Sequence, residues 1–161
     1  LKHKKVPYYR RNIGVVFQDF RLLPNLTVFE NIAFAMEAIG EPKNKVRRRV
    51  REVLELVSLE GKAKSFPREL SGGQQQRATI GRAIVNRPKV LIADEPTGNL
   101  DPQMSNEIID LLEKINKEEG TTVVMVTHDI NLVDQHKKRT IALEEGFVVA
   151  DILKGGYIKH D

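Results

Sequence analysis

Hydrophobic residues along this chain follow two patterns, short continuous runs and longer stretches with helical spacing. Residues 13–17, 90–93 and 121–127 are continuous apolar or β-branched runs, which predict buried strands. Apolar residues at helical spacing predict helices over residues 28–39, 45–59, 72–86, 102–119 and 130–136. Because strands and helices alternate in the second half, the pattern predicts an α/β fold with a parallel sheet.

Local signals mark where several of these elements begin and end. Thr27 with Glu30 three residues later forms a capping-box pattern, and Ser71 is a plausible cap for the following helix. Gly81 lies inside that helix and costs it about 0.5–1 kcal/mol relative to alanine. Residues 27–67 contain no strand pattern, which indicates a helical insert. Residues 140–143 and 147–153, joined by a Glu-Glu-Gly turn, predict a hairpin.

The composition of the 161-residue chain is typical of one soluble globular domain, with 40% hydrophobic and 30% charged residues. Its 26 basic and 22 acidic residues give a net charge of +4, with the excess at residues 2–11 and 47–51. A solvated face explains this mild excess better than a nucleic-acid groove, so we expect no nucleic-acid partner. Contact of a basic helix with acidic lipid headgroups is a weaker alternative.

The sequence contains no cysteine and no apolar run of about 18 residues, so disulfides and a membrane-spanning helix are not expected. The first residue is Leu1 rather than methionine, and no signal peptide is visible. We therefore expect a soluble, cytoplasmic domain whose natural start lies upstream.

Two adjacent carboxylates, Asp94 and Glu95, follow the second predicted strand. Ligands of α/β sheets bind at the carboxyl ends of the strands, and neighbouring side chains on a strand point in opposite directions. One carboxylate can therefore hold Mg²⁺ while the other contacts a water molecule placed for attack. The alternative is that Asp-Glu-Pro only ends a strand at a solvated turn.

A serine and two glycines, Ser71, Gly72 and Gly73, open the third predicted helix. Unpaired backbone amides and the positive end of the helix dipole make such a start suitable for a phosphate group. An ordinary helix cap is the alternative.

Three further polar positions stand at the ends of predicted strands or before a helix. Gln18 can orient water or contact a metal, and His128 can donate to a developing phosphate charge. The alternatives are a polar strand terminator for Gln18 and, for His128, the structural hydrogen-bonding role that a lone histidine at a strand end more often has. Residues 98–101, Gly-Asn-Leu-Asp, are compatible with a turn before a helix whose first position is Pro102.

The order of these motifs is more specific than any one of them. A glutamine after the first strand, a helical insert, Leu-Ser-Gly-Gly-Gln at residues 70–74, an apolar strand with Asp-Glu, Asn-Leu-Asp at residues 99–101 and a strand with His128 follow one another. This order strongly resembles that of the ATP-binding-cassette (ABC) ATPases, over nearly the whole chain. The resemblance implies a P-loop NTPase-like parallel sheet core with an inserted helical subdomain.

The resemblance also assigns roles to these residues. Gln18 corresponds to the Q-loop residue and to a magnesium contact, Asp94 to the Walker B magnesium ligand, Glu95 to the general base and His128 to the switch histidine. The nucleotide-binding residues it implies are Ser71, Gly72, Gly73 and Gln74 of the signature motif and Asp101 of the D-loop. The cofactors it implies are ATP and Mg²⁺, and the signature acts in trans within a homodimer.

Several segments narrow the resemblance further. The run Ala-Asp-Glu-Pro-Thr-Gly-Asn-Leu-Asp at residues 93–101 is similar to the group of lipoprotein-release, macrolide-export and FtsE ATPases. Residues 15–23, 65–70, 83–86 and 127–133 are most similar to the FtsE family. Members of that family act in cell division with the membrane protein FtsX, at the cytoplasmic face of the plasma membrane, and regulate peptidoglycan hydrolysis. The residues from Phe20 to Leu26 are then expected to receive a cytoplasmic helix of the partner, or else to pack in the interior.

The chain departs from the family in one large respect. No Gly-x-x-x-x-Gly-Lys-Ser/Thr loop occurs in the sequence, and the one Gly-Lys pair, Gly61-Lys62, is followed by alanine. The Walker A loop and the first strands of the family are expected upstream of Leu1. We therefore expect little or no ATPase activity from this chain alone, and exposed apolar surface on its sheet.

Other interpretations remain open. The chain can instead serve a lipoprotein-release or macrolide-export transporter, which co-purification of the membrane partner would distinguish. It can also be a short interaction protein that hydrolyses no ATP. Within the leading interpretation, residues 1–24 end the first core lobe, residues 25–80 form the helical subdomain with the signature, and residues 81–161 complete the core.

Overall fold

The computed structural model describes residues 6–154 and separates the chain into two compact units. The first unit ends at Val126 and the second begins at Thr127. Residues 1–5 and 155–161 lie outside the described part, and with them the first residues of the basic start. Each unit is described by itself.

The first unit alternates helices and strands as its sequence pattern predicts. Its elements are α1 (Val6–Arg10), β1 (Ile13–Val16), α2 (Val28–Glu37), α3 (Lys43–Leu56), two 3₁₀ turns (Glu60–Lys62 and Pro67–Glu69), α4 (Gly72–Ile84), β2 (Val90–Asp94), α5 (Pro102–Glu119) and β3 (Thr122–Val126). The short helix α1 was not predicted, because its five residues carry no apolar periodicity. Between α2 and α4 only helices and 3₁₀ turns occur, so the predicted helical insert is confirmed.

The three strands form a parallel sheet in the order β1-β2-β3. Along each strand the faces alternate, with Val16, Leu91 and Ala93 buried on one side. On the other side Val15 and Val126 are 41% and 51% exposed. The apolar sheet surface expected from the sequence is therefore present.

Helices α4 and α5 pack against the sheet, α2 and α3 pack against α4, and all four share one apolar core with the sheet. Its most deeply buried side chains are Val16, Ile32, Val50, Val53, Ile80, Leu91, Ile108 and Ile115. Each aliphatic side chain of this size contributes roughly 1.5–3 kcal/mol when it is fully buried.

Two glycines permit close approach within this core. A Cβ on Gly14 would lie 2.6 Å from the Ala83 carbonyl oxygen, so β1 can contact α4 only with glycine at that position. A Cβ on Gly81 would lie 3.1 Å from Ile32 Cδ1 and 3.2 Å from Val53 Cγ1. The helix-propensity cost expected at Gly81 therefore accompanies tight packing of α2, α3 and α4.

A buried arginine joins the helical insert to the rest of the first unit. Arg49 of α3 donates from Nε to the Val85 carbonyl oxygen at 3.1 Å and from Nη2 to Glu119 Oε2 at 2.8 Å. Its Nη2 also lies 3.3 Å from the Ile84 carbonyl oxygen. Because several of its donors have partners, the charge can be buried between α3, α4 and α5.

The second unit contains α6 (Ile130–His136) and the antiparallel strands β4 (Thr140–Glu144) and β5 (Phe147–Ile152). Glu145 and Gly146 join the strands with positive φ angles of 48° and 84°, which confirms the predicted turn. Arg139 and Asp151 form an ion pair of 2.7 Å across the hairpin, and this pair lowers the pKa of Asp151. No helix among residues 6–154 is long and apolar enough to cross a membrane.

Candidate functional site

The two candidate carboxylates lie at the carboxyl end of the central strand, as predicted. Asp94 is the last residue of β2 and is exposed. Glu95 has already left the strand, since its φ of 46° lies in the left-handed region, and its N–H donates to the Val126 carbonyl oxygen at 2.9 Å. Strand alternation predicts that the two side chains point in opposite directions along one strand. Instead, the backbone turns at Glu95 and the strand ends before it.

The segment after β2, residues 95–101, is called the second loop here, and it consists of two successive turns. The Gly98 N–H donates to the Glu95 carbonyl oxygen at 3.1 Å, and the Leu100 N–H donates to the Thr97 carbonyl oxygen at 3.0 Å. Asp101 then caps α5, where its Oδ1 accepts from the Met104 N–H at 2.9 Å. The predicted turn and helix start are thus both present.

Gln18 follows the neighbouring strand β1 and contacts the second loop. Its Nε2 lies 3.5 Å from Asn99 Oδ1, and Asn99 Nδ2 lies 3.4 Å from the Gln18 carbonyl oxygen. A Cβ on Gly98 would lie only 2.7 Å from Gln18 Nε2. The ends of β1 and β2 therefore bring the amide of Gln18 to the loop that carries Glu95, which the sequence order alone did not specify.

Residues 71–74 form a complete capping box at the start of α4. Ser71 Oγ accepts from the Gln74 N–H at 3.3 Å, and Gln74 Oε1 accepts from the Ser71 N–H at 3.1 Å. The interpretation of Ser71 as a helix cap is therefore confirmed. The N–H groups of Gly72 and Gly73 fall among the first amides of α4, which have no partner within a helix.

The start of α4 packs against the second loop and α5. A Cβ on Gly72 would lie 3.4 Å from Leu100 Cδ2, and one on Gly73 would lie 3.1 Å from Met104 Sδ. Small residues at these two positions let the helix start approach residues 100–104. Direct contacts within the first unit therefore connect three groups of predicted site residues. These groups are Gln18, the signature residues at the start of α4, and the set of Asp94, Glu95 and Asp101.

His128 belongs to the second unit. Beside it, Thr127 Oγ1 accepts from the Asp129 N–H at 3.1 Å, and Asp129 Oδ1 accepts from the Asn131 N–H at 2.9 Å to cap α6. The short segment between β3 and α6 is therefore well structured around His128. Its role toward a phosphate group stays a prediction.

Sequence reasoning missed the side chains that hold the segment after β1, residues 18–26, called the first loop here. Asn31 of α2 is fully buried; its Nδ2 donates to the Leu23, Leu26 and Thr27 carbonyl oxygens at 3.0–3.1 Å, and its Oδ1 accepts from the Leu23 N–H at 2.8 Å. A polar residue beside Ile32 on an apolar helix face was the available signal.

Two residues of α4 hold the same loop from its other side. Thr79 Oγ1 donates to the Phe20 carbonyl oxygen at 2.9 Å, and Arg82 Nη1 donates to the Arg21 carbonyl oxygen at 2.7 Å. Burial lowers the pKa of the Arg82 guanidinium. Arg21 itself has a positive φ of 48° and lies 4.0 Å above the Phe17 ring.

The donor set at this edge of the sheet fits Mg²⁺ bound together with a nucleotide. An exposed carboxylate and a side-chain amide, Asp94 and Gln18, offer oxygen ligands from adjacent strand ends. Residues 6–154 contain no group of three or more acidic or histidine side chains able to hold a metal. A small donor set of this kind is usual for Mg²⁺, which takes one or two carboxylates and completes its shell with phosphate oxygens and water.

Comparison with known proteins gives the same family as the motifs. The ABC transporter family matches residues 1–98. The cell division ATP-binding protein FtsE of Bacillus subtilis (strain 168) is 58% identical over 161 residues, which are 100% of this chain and 70% of the relative. FtsE of Escherichia coli (strain K12) is 49% identical over 146 residues, 91% of this chain and 65% of the relative. This chain belongs to the ABC transporter family, among the FtsE proteins.

Solved structures of ABC ATPases share its fold. One is the structure of cbiO1 from Clostridium perfringens, part of the ABC transporter complex cbiONQ, with a TM-score of 0.87 and 34% sequence identity. The matched region covers 93% of this chain and 60% of the cbiO1 chain. Another is the dimeric ATP-binding cassette MJ0796 bound to ADP and Pi, with a TM-score of 0.79 and 40% sequence identity. Here the matched region covers 98% of this chain and 69% of the MJ0796 chain. The α/β fold expected from the resemblance is confirmed, and the chain spans 60% to 70% of these longer proteins' lengths.

Proposed function

We propose that this chain is the ATP-binding part of an FtsE/FtsX-type complex in bacterial cell division. In this complex, ATP binding and hydrolysis are coupled to a membrane partner that regulates peptidoglycan hydrolysis. The high identity to FtsE proteins supports the cell-division assignment over a lipoprotein-release or macrolide-export role. The complex acts at the cytoplasmic face of the plasma membrane, to which the chain attaches through an FtsX-like partner.

One observation carries the hydrolytic part of the proposal. Glu95 leaves the central strand in a left-handed conformation, half-buried, as the first residue of the loop that contacts Gln18. A carboxylate fixed by its backbone can hold a water molecule in line with a terminal phosphate and accept its proton. Asp94 and Gln18 would hold Mg²⁺, which when bound neutralises charge on the phosphate oxygens. His128 would donate to the γ-phosphate.

The start of α4 would bind the nucleotide of a second copy of the chain. Gly72 and Gly73 present backbone amides at a helix start that Ser71 and Gln74 cap, and Asp101 lies at the start of α5 beside them. The dimeric MJ0796 structure with ADP and Pi supports such a homodimer in this family. Acting in trans, each signature motif would complete the site of its partner.

The first loop would carry the signal to the membrane partner. It begins at Gln18 and is held by Asn31 of the helical insert and by Thr79 of α4. Leu22 packs against the core, whereas Leu23 is exposed. Both interpretations of this segment are thus partly supported, and the exposed part would receive a cytoplasmic helix of the FtsX-like partner.

ATP turnover by two lengths of the protein tests the proposal. The 161-residue chain is compared with the reading frame extended upstream to its initiator codon, each with a matched Glu95→Gln variant. We expect turnover only in the extended form with Glu95, reduced about a hundredfold or more by Glu95→Gln because a general base is lost. Because its sequence has no Gly-x-x-x-x-Gly-Lys loop, the 161-residue chain should show little or none.

Three outcomes would contradict this proposal. Turnover by the 161-residue chain itself would show that a phosphate-binding loop is not required. Absence of turnover in the extended, FtsX-bound form would favour an interaction protein that does not hydrolyse ATP. Co-purification with a lipoprotein-release or export permease instead of an FtsX-like protein would favour the transporter alternative.

A further inference from the structure

A buried glutamine of α4 contacts the loop that carries Glu95. Gln76 has no exposed surface, and its Nε2 donates to the Pro96 carbonyl oxygen at 2.6 Å. Its Oε1 is also buried and has no hydrogen-bond partner among the described residues. Burying an amide with one unpaired end is unfavourable, so an apolar residue of similar size would be the better choice for packing alone.

The bond from Gln76 completes a series along the backbone around Glu95. The peptide group before Glu95 donates to the Val126 carbonyl oxygen at 2.9 Å, and the one after it accepts from the Gly98 N–H at 3.1 Å. The next peptide group accepts from Gln76. Three successive peptide groups are therefore held, and together they fix the backbone torsions of Glu95 and Pro96.

This fixation matters because the conformation of Glu95 is unfavourable by itself. A glutamate with a φ of 46° adopts the left-handed region only when surrounding contacts over-determine it. Turning the Gln76 amide over would place its oxygen against the Pro96 carbonyl oxygen, so the observed orientation is set by this contact. Small rotations at Glu95 would displace its carboxylate, and displacements of about 1 Å can reduce rates a hundredfold.

We infer that Gln76 is a positioning residue for Glu95, acting from the signature helix through the Pro96 carbonyl group. This inference rests on the proposed ATPase function. Since α4 begins with the signature residues, Gln76 also gives a direct route from the phosphate-binding helix start to the hydrolytic carboxylate of the same chain. Nucleotide at the signature of one copy would thereby influence Glu95 of that copy, which serves the other site of the dimer.

The test uses the upstream-extended protein with Gln76→Met and Gln76→Glu. Methionine keeps the volume but has no donor, so we expect kcat to fall about tenfold or more with KM changed less than about twofold. A protonated glutamic acid can donate to Pro96, whereas a carboxylate would repel it. Burial raises the pKa of such a carboxyl group, so the kcat of Gln76→Glu, divided by that of the parent at the same pH, should rise as the pH falls, while this ratio stays low throughout for Gln76→Met.

A control variant separates positioning from the loss of a side-chain hydrogen bond in general. Asn116→Leu, at an exposed residue of α5, also removes a hydrogen bond from a side-chain amide to a backbone carbonyl, from Asn116 Nδ2 to the Thr121 oxygen at 2.8 Å, away from the second loop. It should lower stability and leave kcat unchanged. Hydrogen exchange at the Glu95 and Gly98 amides provides a readout without turnover, and we expect faster exchange in Gln76→Met but not in Asn116→Leu.

Two results would overturn the inference. These are a kcat within twofold of the parent in Gln76→Met, or a loss in Gln76→Glu that is the same at every pH. If Gln76→Met fails to fold, the pH series of Gln76→Glu decides alone. Glu95→Gln, measured in parallel, separates the two proposals: full turnover in that variant contradicts the ATPase mechanism itself, whereas its loss beside an unaffected Gln76→Met contradicts only the positioning role.

Discussion

The first and second loops follow neighbouring strands of one sheet, yet different forces hold them. Two backbone hydrogen bonds within the second loop, from the Gly98 and Leu100 N–H groups, form its turns, and further bonds tie it to Val126 of β3 and Gln76 of α4. The first loop has one internal backbone bond, from the Leu26 N–H to the Leu23 carbonyl oxygen. Its other described bonds involve side chains of α2, of α4 and of Asn99 in the second loop. The second loop is thus shaped mainly by its own turns, and the first mainly by side chains that are distant along the chain.

This difference bears on the roles proposed for the loops. A loop shaped mainly by its own turns follows the surrounding helices less, and Gln76 of α4 gives it a side-chain hydrogen bond from a helix, which suits a Glu95 positioned from the signature helix. A loop held by side chains of the helical insert and of α4 follows those helices when they move. Gln18 starts the first loop and contacts Asn99 in the second loop, so it can transmit a movement of the first loop to the second. The following predictions test this contrast, beginning with the largest expected effect.

Asn31→Leu should have the largest effect because it removes the main support of the first loop. Three backbone carbonyl oxygens and one N–H lose their partner in a buried place, so we expect the free energy of unfolding to fall by about 3–5 kcal/mol. Urea denaturation measures the change. Asn44→Leu, at an exposed asparagine of α3, is the control and should change stability by less than about 0.5 kcal/mol. A loss below 1 kcal/mol for Asn31→Leu would contradict the contrast between the loops.

Gly98→Ala should have a smaller effect on stability and a specific effect on the contact between the loops. The added Cβ would lie 2.7 Å from Gln18 Nε2, so the end of this flexible side chain must move away from Asn99. We expect a stability loss of about 1 kcal/mol and displaced side-chain amide signals of Gln18 and Asn99 in NMR spectra. Gly61→Ala is the control, because no atom lies within 4 Å of its added Cβ. Unchanged Gln18 signals in Gly98→Ala would mean that the two loops are not coupled here.

The sequence predicted those features whose partners lie nearby along the chain. The capping box at Thr27, the cap at Ser71 and the turn before the helix that starts at Pro102 each need only a few neighbouring residues, and all three are present. Continuous apolar runs likewise identified all three parallel strands. The local sequence was sufficient for the caps because their hydrogen bonds form within one turn. It was sufficient for the strands because a continuous apolar run is typical of strands in a parallel sheet.

The residues that sequence reasoning missed have distant partners. Gln76 bonds to Pro96, 20 residues away, and Arg49 bonds to Glu119, 70 residues away. No periodicity predicts such pairs, because they depend on how helices pack on the sheet. Gly81 is a further case, since its close contacts with Ile32 and Val53 appear only once three helices have packed together. The order of motifs identified the family, but not the side chains that hold its loops.

The smallest expected effect concerns the capping box at the end of the first loop, where Glu30 lies fully exposed. Hydrogen bonds from the Thr27 N–H, and then from the Thr27 hydroxyl, lower the pKa of Glu30. A group whose pKa is lower in the folded state stabilises the protein above its unfolded pKa, about 4.3 for glutamate, and this contribution is lost as the pH falls through the folded value.

Glu30→Gln should therefore be less stable than the parent near neutral pH and approach it in acid. Urea denaturation at a series of pH values measures this difference. In a Thr27→Ala background the difference should shrink without vanishing, because the backbone N–H of residue 27 still donates to Glu30. A difference that is independent of pH would mean that packing, and not the ionised carboxylate, fixes the end of the first loop. The contrast between the loops would then lie in their apolar contacts and not in their hydrogen bonds.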